Sequence, residues 1–448
     1  MSETERLDNM SEQEVETVDV LVVGAGMGGV CVAARLAQGG QRVLLVDRGE
    51  RVGGRASSFE VDGFTVNTGA IAIENGGMME QTFTDLGATL DIRYPEPANV
   101  FRIKGRTVNP AKGGWAFLLD QITKKGAKVL AGLGSARKGE LPEDQVTLAD
   151  WIAGATSNET VHRLFRNLSA AIFAVNANEI PAKAFLTYFT QKGAFRNFGF
   201  HPRGTAAVCE AIADVVTREG SEVWTGATVT RITTEGDRAT GAVVRRADGR
   251  TVTVRAGAVV SNVGPVATID LVGEDALPGD YVASIRERSR PSANIIIHVA
   301  SREPLLDTPG LIVFSATDRI CNAGNMTATC PELAPEGWHL TVVYAVPVPA
   351  IGDFDADAEL EASLQELRAE LPGMAHPETR VVDARVMRGD WPAQRAASGY
   401  ELPRETPLDN LLHVGDGVRD YGDGGTQACA VTAKQVADEL LGVAASSG

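Results

Sequence analysis

The chain has 448 residues, 44% of them hydrophobic, and 42 basic against 58 acidic residues give a net charge of −16. That length predicts two or three domains with a sizeable core, and the acidic balance argues against nucleic acid and against tight electrostatic docking on anionic lipid. No signal peptide or run of about 20 apolar residues marks a spanning segment, and five cysteines without a CxxC spacing suit free thiols in a reducing cytoplasm.

Residues 1–16 carry six acids against Arg6 and no apolar run, so they read as a disordered tail. The organising stretch follows, from Asp19 to Arg55. An apolar strand, Val20 to Val23, leads into Gly24-Ala25-Gly26-Met27-Gly28-Gly29, a small-residue helix to Gln38, and a second strand, Arg42 to Val46, ending on Asp47. Strand, glycine turn, helix and terminal acid together form a dinucleotide fingerprint. Gly24 makes the tight turn, Gly26 lets the backbone approach a pyrophosphate, and Gly29 lets helix pack on strand. The helix N-terminus offers unpaired N–H groups to the phosphates. Asp47, 18 residues beyond Gly29, is placed to accept hydrogen bonds from ribose hydroxyls, and an acid there argues against a 2′-phosphate.

A second glycine loop, Arg51-Val52-Gly53-Gly54-Arg55, and then Asp62-Gly63-Phe64-Thr65-Val66-Asn67-Thr68-Gly69 come next. A nicotinamide enzyme has no use for this loop, whereas a larger dinucleotide needs further backbone donors and a cation. The segment resembles the FAD-binding start of the flavin amine oxidase and phytoene desaturase superfamily. That resemblance implies an α/β protein with a two-dinucleotide-binding, Rossmann-type FAD domain and a discontinuous α+β substrate domain. The FAD domain is expected at 17–105, 200–268 and 405–448, and the substrate domain, with a helical cap, at 106–199 and 269–404. Gly24, Gly26, Met27, Gly28, Gly29, Asp47, Arg48, Gly54 and Arg55 become expected cofactor contacts.

Beyond the loop, Met78 to Leu86 reads as a helix, and Thr89 to Arg93 and Val100 to Ile103 read as strands. Between Lys104 and Lys138, eight basic residues face one acid, Asp120, among apolar residues that include Trp115, Phe117 and Leu118. Such a basic amphipathic segment suits peripheral membrane contact, the mouth of an apolar tunnel, or a solvated cap helix. Residues 147–200 read as helical, with Asn158 or Thr160 as a cap. Their aromatic residues, Phe185, Tyr188, Phe189, Phe195, Phe198 and Phe200, suit either a substrate pocket or plain core.

The stretch from Pro202-Arg203-Gly204 through the helix Ala206 to Glu219, the strand around Val229, the Asp248-Gly249-Arg250 hairpin and Val259-Val260-Ser261-Asn262 again resembles phytoene desaturase-like proteins. By that resemblance Val229 holds the adenine through its backbone. Asn294 to Ala300, Gly310 to Ser315 and Leu340 to Val346 read as strands, and Leu360 to Leu371 as a helix. Amine oxidases place a lysine on a strand of this domain, and Ala293 to Val299 offers none; His298 is the candidate proton carrier there. Trp391 and Ser398-Gly399-Tyr400 resemble part of the amine oxidase aromatic run, but without its tethering cysteine, which implies non-covalent FAD. The return Leu411-Leu412-His413-Val414-Gly415-Asp416 and the turn Gly424-Gly425-Thr426 place Asp416 on the ribityl hydroxyls and a helix N-terminus, with Gly425 and Thr426, at the flavin pyrimidine.

The expected chemistry is desaturation of an apolar isoprenoid-like or alicyclic substrate by hydride transfer to flavin N5, with oxygen or a quinone-like molecule as electron acceptor. Tyr400, Tyr421 and His298 are the candidates for positioning or proton transfer. A flavin amine oxidase, an FAD-dependent double-bond isomerase and a prenyl-binding escort protein are the alternatives. Six scattered histidines give a metal site no support.

Overall fold

Val20-Leu21-Val22-Val23 is apolar on both sides because it is the inner strand of a parallel array, covered on both faces. In the computed structural model, which describes residues 14–74, 76–109, 127–190 and 198–443, this strand runs from Glu14 to Val23. It pairs in parallel with Val43–Val46 on one side and Thr251–Ser261 on the other. Beyond Val43–Val46 lies Glu222–Trp224, also parallel. The far edge of Thr251–Ser261 is shared: residues 251–255 take the antiparallel hairpin strand Arg238–Arg245, and residues 259–261 take Leu411–His413 in parallel. Three distant stretches of chain thus form one seven-stranded sheet.

The helix Met27–Gln38 covers one face of that sheet, flanked by Ala206–Arg218 and Gly425–Leu440. Its buried Val30, Val32 and Leu36 meet Val208, Ile212, Ala433 and Val436 in one core. Small residues allow this approach. Fully burying side chains of this kind contributes roughly 1.5–3 kcal/mol each before the entropy of ordering the chain. The opposite face packs Leu21, Val23, Leu44 and Val46 against Val229, Ile232 and the helix Pro265–Val272.

A second seven-stranded sheet runs in the order Arg380–Met387, Asn294–Ser301, His339–Ala345, Ile320–Asn325, Leu311–Phe314, Asn99–Ile103, Arg106–Val108. All its pairings are antiparallel except that of Leu311–Phe314 with Asn99–Ile103. Asn99–Ile103 and Arg106–Val108 lie on either side of residue 105, where a domain limit was expected, and both join this second sheet. The helices Leu148–Ala155, Glu159–Phe173 and Ala182–Thr190 pack beside it around Phe165, Phe173 and Phe185. Thr147 and Asn158 cap the first two: their side-chain oxygens accept the backbone N–H groups of Asp150 at 3.1 Å and of Thr160 at 3.0 Å.

Several elements differ from the sequence expectation. Glu14–Glu16, assigned to the tail, extend the first strand, because Thr251–Ser261 is long enough to pair with them. Thr89 to Arg93 forms no strand, only a bridge between Arg93 and Phe200. The helix expected from Leu360 begins at Ala356, because Asp355 accepts hydrogen bonds from the N–H groups of Asp357 and Ala358. Residues 110–126 of the basic 104–138 segment, with Trp115, Phe117 and Leu118, and also Phe195, lie outside the described residues. Among the described residues, no helix is long and apolar enough to cross a membrane.

Candidate active site

A cavity of about 670 Å³ runs from the fingerprint turn between the two sheets. All thirteen expected cofactor contacts except Gly29 line it: Gly24, Gly26, Met27, Gly28, Asp47, Arg48, Gly54, Arg55, Val229, Asp416, Gly425 and Thr426. Gly29 acts one layer behind. A Cβ there would stand 1.9 Å from the Gly24 carbonyl oxygen, so only glycine lets the helix follow the strand this closely. Gly24 turns the chain with φ of +95°, a region that disfavours other residues.

Backbone geometry makes the outer half of the cavity a cradle for phosphates. The helix Met27–Gln38 begins after Gly26 with no side-chain cap and no acid in its first turn. Its N-terminus therefore presents uncapped N–H groups and the positive end of its dipole. Cβ atoms on Gly26 and Gly28 would lie 2.8 and 2.7 Å from the Asn262 side-chain amide, which donates to the Gly24 carbonyl at 3.3 Å. Asp47 closes the second strand and accepts the Ala25 N–H at 2.6 Å and the Gly49 N–H at 2.7 Å, so it stands against the turn. Near Val229 the strand loses register between residues 229 and 231, a bulge that disrupts the ladder where an adenine would sit.

Farther in, Arg55 and Asp416 form a buried fork. The Arg55 guanidinium donates to the two Asp416 oxygens at 3.0 and 2.5 Å and to the Ala393 carbonyl at 3.0 Å. Asp416 also accepts the Arg395 N–H at 2.8 Å. Burial by itself would raise the Asp416 pKa; the charge and hydrogen bonds of Arg55, with help from Arg395, hold it well below the ordinary carboxylate range. Arg395 also lines the cavity, where burial and then the neighbouring Arg55 bring its pKa down to about 10, and its Nε has no partner among the described residues. A buried unpaired cationic donor and a cradle that any Cβ would fill fit an anionic, dinucleotide-sized group.

The helix Gly425–Leu440 also starts without a side-chain cap, and Gly425 and Thr426 border the cavity. Gln427 fixes this start: its amide accepts the Met79 N–H at 2.9 Å and donates to the carbonyls of Gly76 and Glu74 at 2.8 and 3.2 Å. The inner wall then turns apolar, with Ala171, Ile172, Phe198, Leu311 and Val313. Tyr188, Tyr344, Asn322, Gln394 and Glu74 interrupt it, and the Tyr188 hydroxyl donates to Glu74 at 3.0 Å.

The three residues expected to position substrate or move protons stand elsewhere. His298 is fully buried in the second sheet, where Nε2 accepts the Asn67 N–H at 3.2 Å. Burial and then Arg385 push its pKa down to about 3, so it is a neutral structural acceptor. Tyr421 donates to Asp144 at 2.9 Å on an exposed face, and Tyr400 lies under the Arg290 guanidinium, 5.0 Å from its ring centre. None of the three is among the described residues lining the cavity, whereas Trp391 is. Sequence reasoning missed Asn262, Asn322, Tyr344, Gln394 and Arg395. Asn262 closes a strand directly beside the fingerprint and carried a usable signal; the others read as ordinary strand or loop residues.

Comparison with known proteins agrees with this geometry. The family model described as flavin containing amine oxidoreductase matches residues 27–441. A phytoene dehydrogenase of Streptomyces griseus is 26% identical, with 85% of this chain and 84% of that protein covered. An oxidoreductase from Methanosarcina mazei has the same fold with a TM-score of 0.82 at 27% identity, covering 93% of this chain and 99% of that one. A putrescine oxidase variant shares the fold at 16% identity, with a TM-score of 0.71 over 96% of this chain and 99% of the other. The family match spans the fingerprint helix, the Arg55–Asp416 fork and the C-terminal helix. The chain therefore belongs to the flavin containing amine oxidoreductase family and is an FAD-dependent oxidoreductase.

Proposed function

We propose that this protein holds FAD non-covalently and dehydrogenates an apolar isoprenoid-like or alicyclic substrate. The observation that carries this reading is the continuity of the cavity, which passes from the glycine cradle and the Arg55–Asp416 fork into a mainly apolar inner half. FAD, when bound, supplies the hydride acceptor. Asp47 and the uncapped helix Met27–Gln38 would hold the adenosine diphosphate end, and Asp416 the ribityl hydroxyls. The start of Gly425–Leu440 would face the pyrimidine edge, where its dipole favours negative charge.

The chain's own part in the reaction is binding, orientation and exclusion of water. Ile172, Phe198, Leu311 and Val313 offer an apolar wall against which a C–H bond can be presented. Glu74, oriented by Tyr188, is the carboxylate available on that side to receive a proton. Cys429 also borders the cavity, but burial pushes its thiol up to about 12, which leaves little thiolate to form a covalent flavin link. Desaturation is favoured over amine oxidation because no lysine is found among the described residues lining the cavity. The expected acceptor of the electrons is oxygen or a quinone-like molecule.

The test is an anaerobic flavin-bleaching screen with isoprenoids, alicyclic ketones and amines. Bleaching by the first two, with a product lighter by two hydrogens, supports dehydrogenation. Bleaching by amines alone overturns it, and a product of unchanged mass identifies an isomerase. Flavin that stays with the polypeptide after acid precipitation would contradict the non-covalent assignment.

A further inference from the structure

Two helices begin side by side near the inner cavity, and one side chain joins them. Gln427 stands in the first turn of Gly425–Leu440, and its amide reaches the start of Gly77–Leu86. Its Oε1 accepts the Met79 N–H at 2.9 Å. Met79 is third in a helix whose N-cap, Gly76, makes no side-chain cap, so Gln427 supplies the cap from a distant part of the chain. Its Nε2 donates to the carbonyls of Gly76 and Glu74 at 2.8 and 3.2 Å. An acceptor facing an N–H and a donor facing two carbonyls leave the amide one orientation. The strand Ile73–Glu74 ends here, and Gly76 and Gly77 turn the chain with φ of +80° and +72°. That turn takes its tertiary anchor from Gln427.

The carboxylate of Glu74 is held from a second direction. Tyr188 donates to it at 3.0 Å, the Tyr188 ring meets Phe173 edge-on at 5.3 Å, and Phe173 stands 3.4 Å from where a Cβ on Gly424 would lie. Main chain and side chain of Glu74 are thus both tied to residues 424–427, the turn whose Gly425 and Thr426 border the same cavity as Glu74. We propose that Gln427 is the positioning residue that fixes the Glu74 carboxylate beside the flavin site, where its charge makes bound flavin harder to reduce. This rests on the FAD reading and on Glu74 as the inner-wall carboxylate, and it deepens both. Reduction places negative charge at the pyrimidine edge; the start of Gly425–Leu440 favours that charge and a neighbouring carboxylate opposes it. Gln427 is not among the described residues lining the cavity, so it acts through Glu74.

The test needs no substrate: it is the midpoint potential of FAD on the full chain, read against redox dyes during slow anaerobic reduction with dithionite. Glu74→Gln should favour the reduced flavin about tenfold, which is about 30 mV for a two-electron couple. Gln427→Met, which keeps the length and removes the hydrogen bonds, should shift the equilibrium about threefold or more in the same direction, because the released carboxylate turns toward water. In a Glu74→Gln background Gln427→Met should add nothing, since its effect passes through Glu74. A shift that persists in that background places the effect on the helix start itself and overturns the proposal. So does an unchanged potential in Glu74→Gln or in Gln427→Met. Gly77→Ala reaches the same link from the other side, because its Cβ would stand 2.8 Å from Gln427 Oε1, and it replaces Gln427→Met in the cycle if that variant fails to fold. A folded chain that takes up no FAD overturns the FAD reading together with the proposal, whereas failure of the cycle in flavin-replete protein overturns the proposal alone.

Discussion

Replacing Asp416 by asparagine keeps the shape of the fork and removes its charge. In the native protein the carboxylate accepts two hydrogen bonds from Arg55, at 2.5 and 3.0 Å, and one from the Arg395 N–H at 2.8 Å. Removing one partner of a buried ion pair costs about 3–5 kcal/mol. Arg55 keeps the Ala393 carbonyl at 3.0 Å, and its side chain is 21% exposed, so the loss falls at or below the bottom of that range, about 2–3 kcal/mol. Where that loss falls on cofactor binding it amounts to roughly 30–150-fold in affinity. Two measurements separate the possibilities: flavin retained per polypeptide after dialysis, and the urea midpoint of the flavin-free protein. The pH dependence gives an independent check. The folded state holds the Asp416 pKa below its unfolded value of about 3.9, so its stabilisation is present above that pH and is lost as pH falls further. The stability gap between native and Asp416→Asn protein should therefore be full near neutrality and shrink below about pH 4. Unchanged flavin content together with an unchanged urea midpoint would refute the reasoning. A lowered midpoint with full flavin content would confine Asp416 to a structural role and remove it from the ribityl site.

Gly29→Ala should cost about 3 kcal/mol or more and strip most flavin from the protein, because its Cβ would enter the Gly24 carbonyl. Gly134→Ala, which meets nothing within 4 Å among the described residues, is the control, and the ratio of flavin to protein absorbance reads both. His298→Gln should leave turnover within about twofold. It should also abolish a stability loss in the native protein: with the folded pKa near 3 and an ordinary value of 6.5, neutral His298 stabilises the fold above pH 6.5, and this is lost as pH falls toward 3. Denaturant midpoints taken across that interval decide it. Tyr400→Phe and Tyr421→Phe should each keep turnover within about twofold, since their hydroxyl and ring contacts lie outside the cavity; a loss beyond about tenfold in either would return it to the active site.

The cofactor half of the site was legible because its chemistry acts through the backbone. A pyrophosphate needs close approach and uncapped N–H groups, and only glycine at Gly24, Gly26 and Gly29 permits that, so the demand is written as residue identity at fixed spacing. Asp416 was legible for a related reason: it follows a strand end and precedes a glycine turn, where a carboxylate has a geometric purpose. The role of Arg55 was only half visible. The sequence placed a cation beside the cofactor, but its ion pair with a residue 361 positions away comes from the pairing of Leu411–His413 beside Thr251–Ser261. His298, Tyr400 and Tyr421 were chosen for chemical capability, and burial, Arg290 and Asp144 engage them elsewhere.

The substrate half is written in register. Val313, Asn322 and Tyr344 carry no motif, and each suits a strand in any sheet. They meet only because three antiparallel strands align at those positions, and a slip of one residue would turn Asn322 to the opposite face. The hydrophobic pattern that fixes this register is spread over Ile320, Ala323, Val342 and Val343, none of which needs to touch a ligand. Substitutions among cavity-facing strand residues should therefore change which molecule fits while the glycine cradle, the Arg55–Asp416 fork and the bound flavin stay intact. That separation explains how a shared fold can match both a phytoene dehydrogenase and a putrescine oxidase, and why the floor of the inner cavity, not the fingerprint, is the place to look for what this protein oxidises.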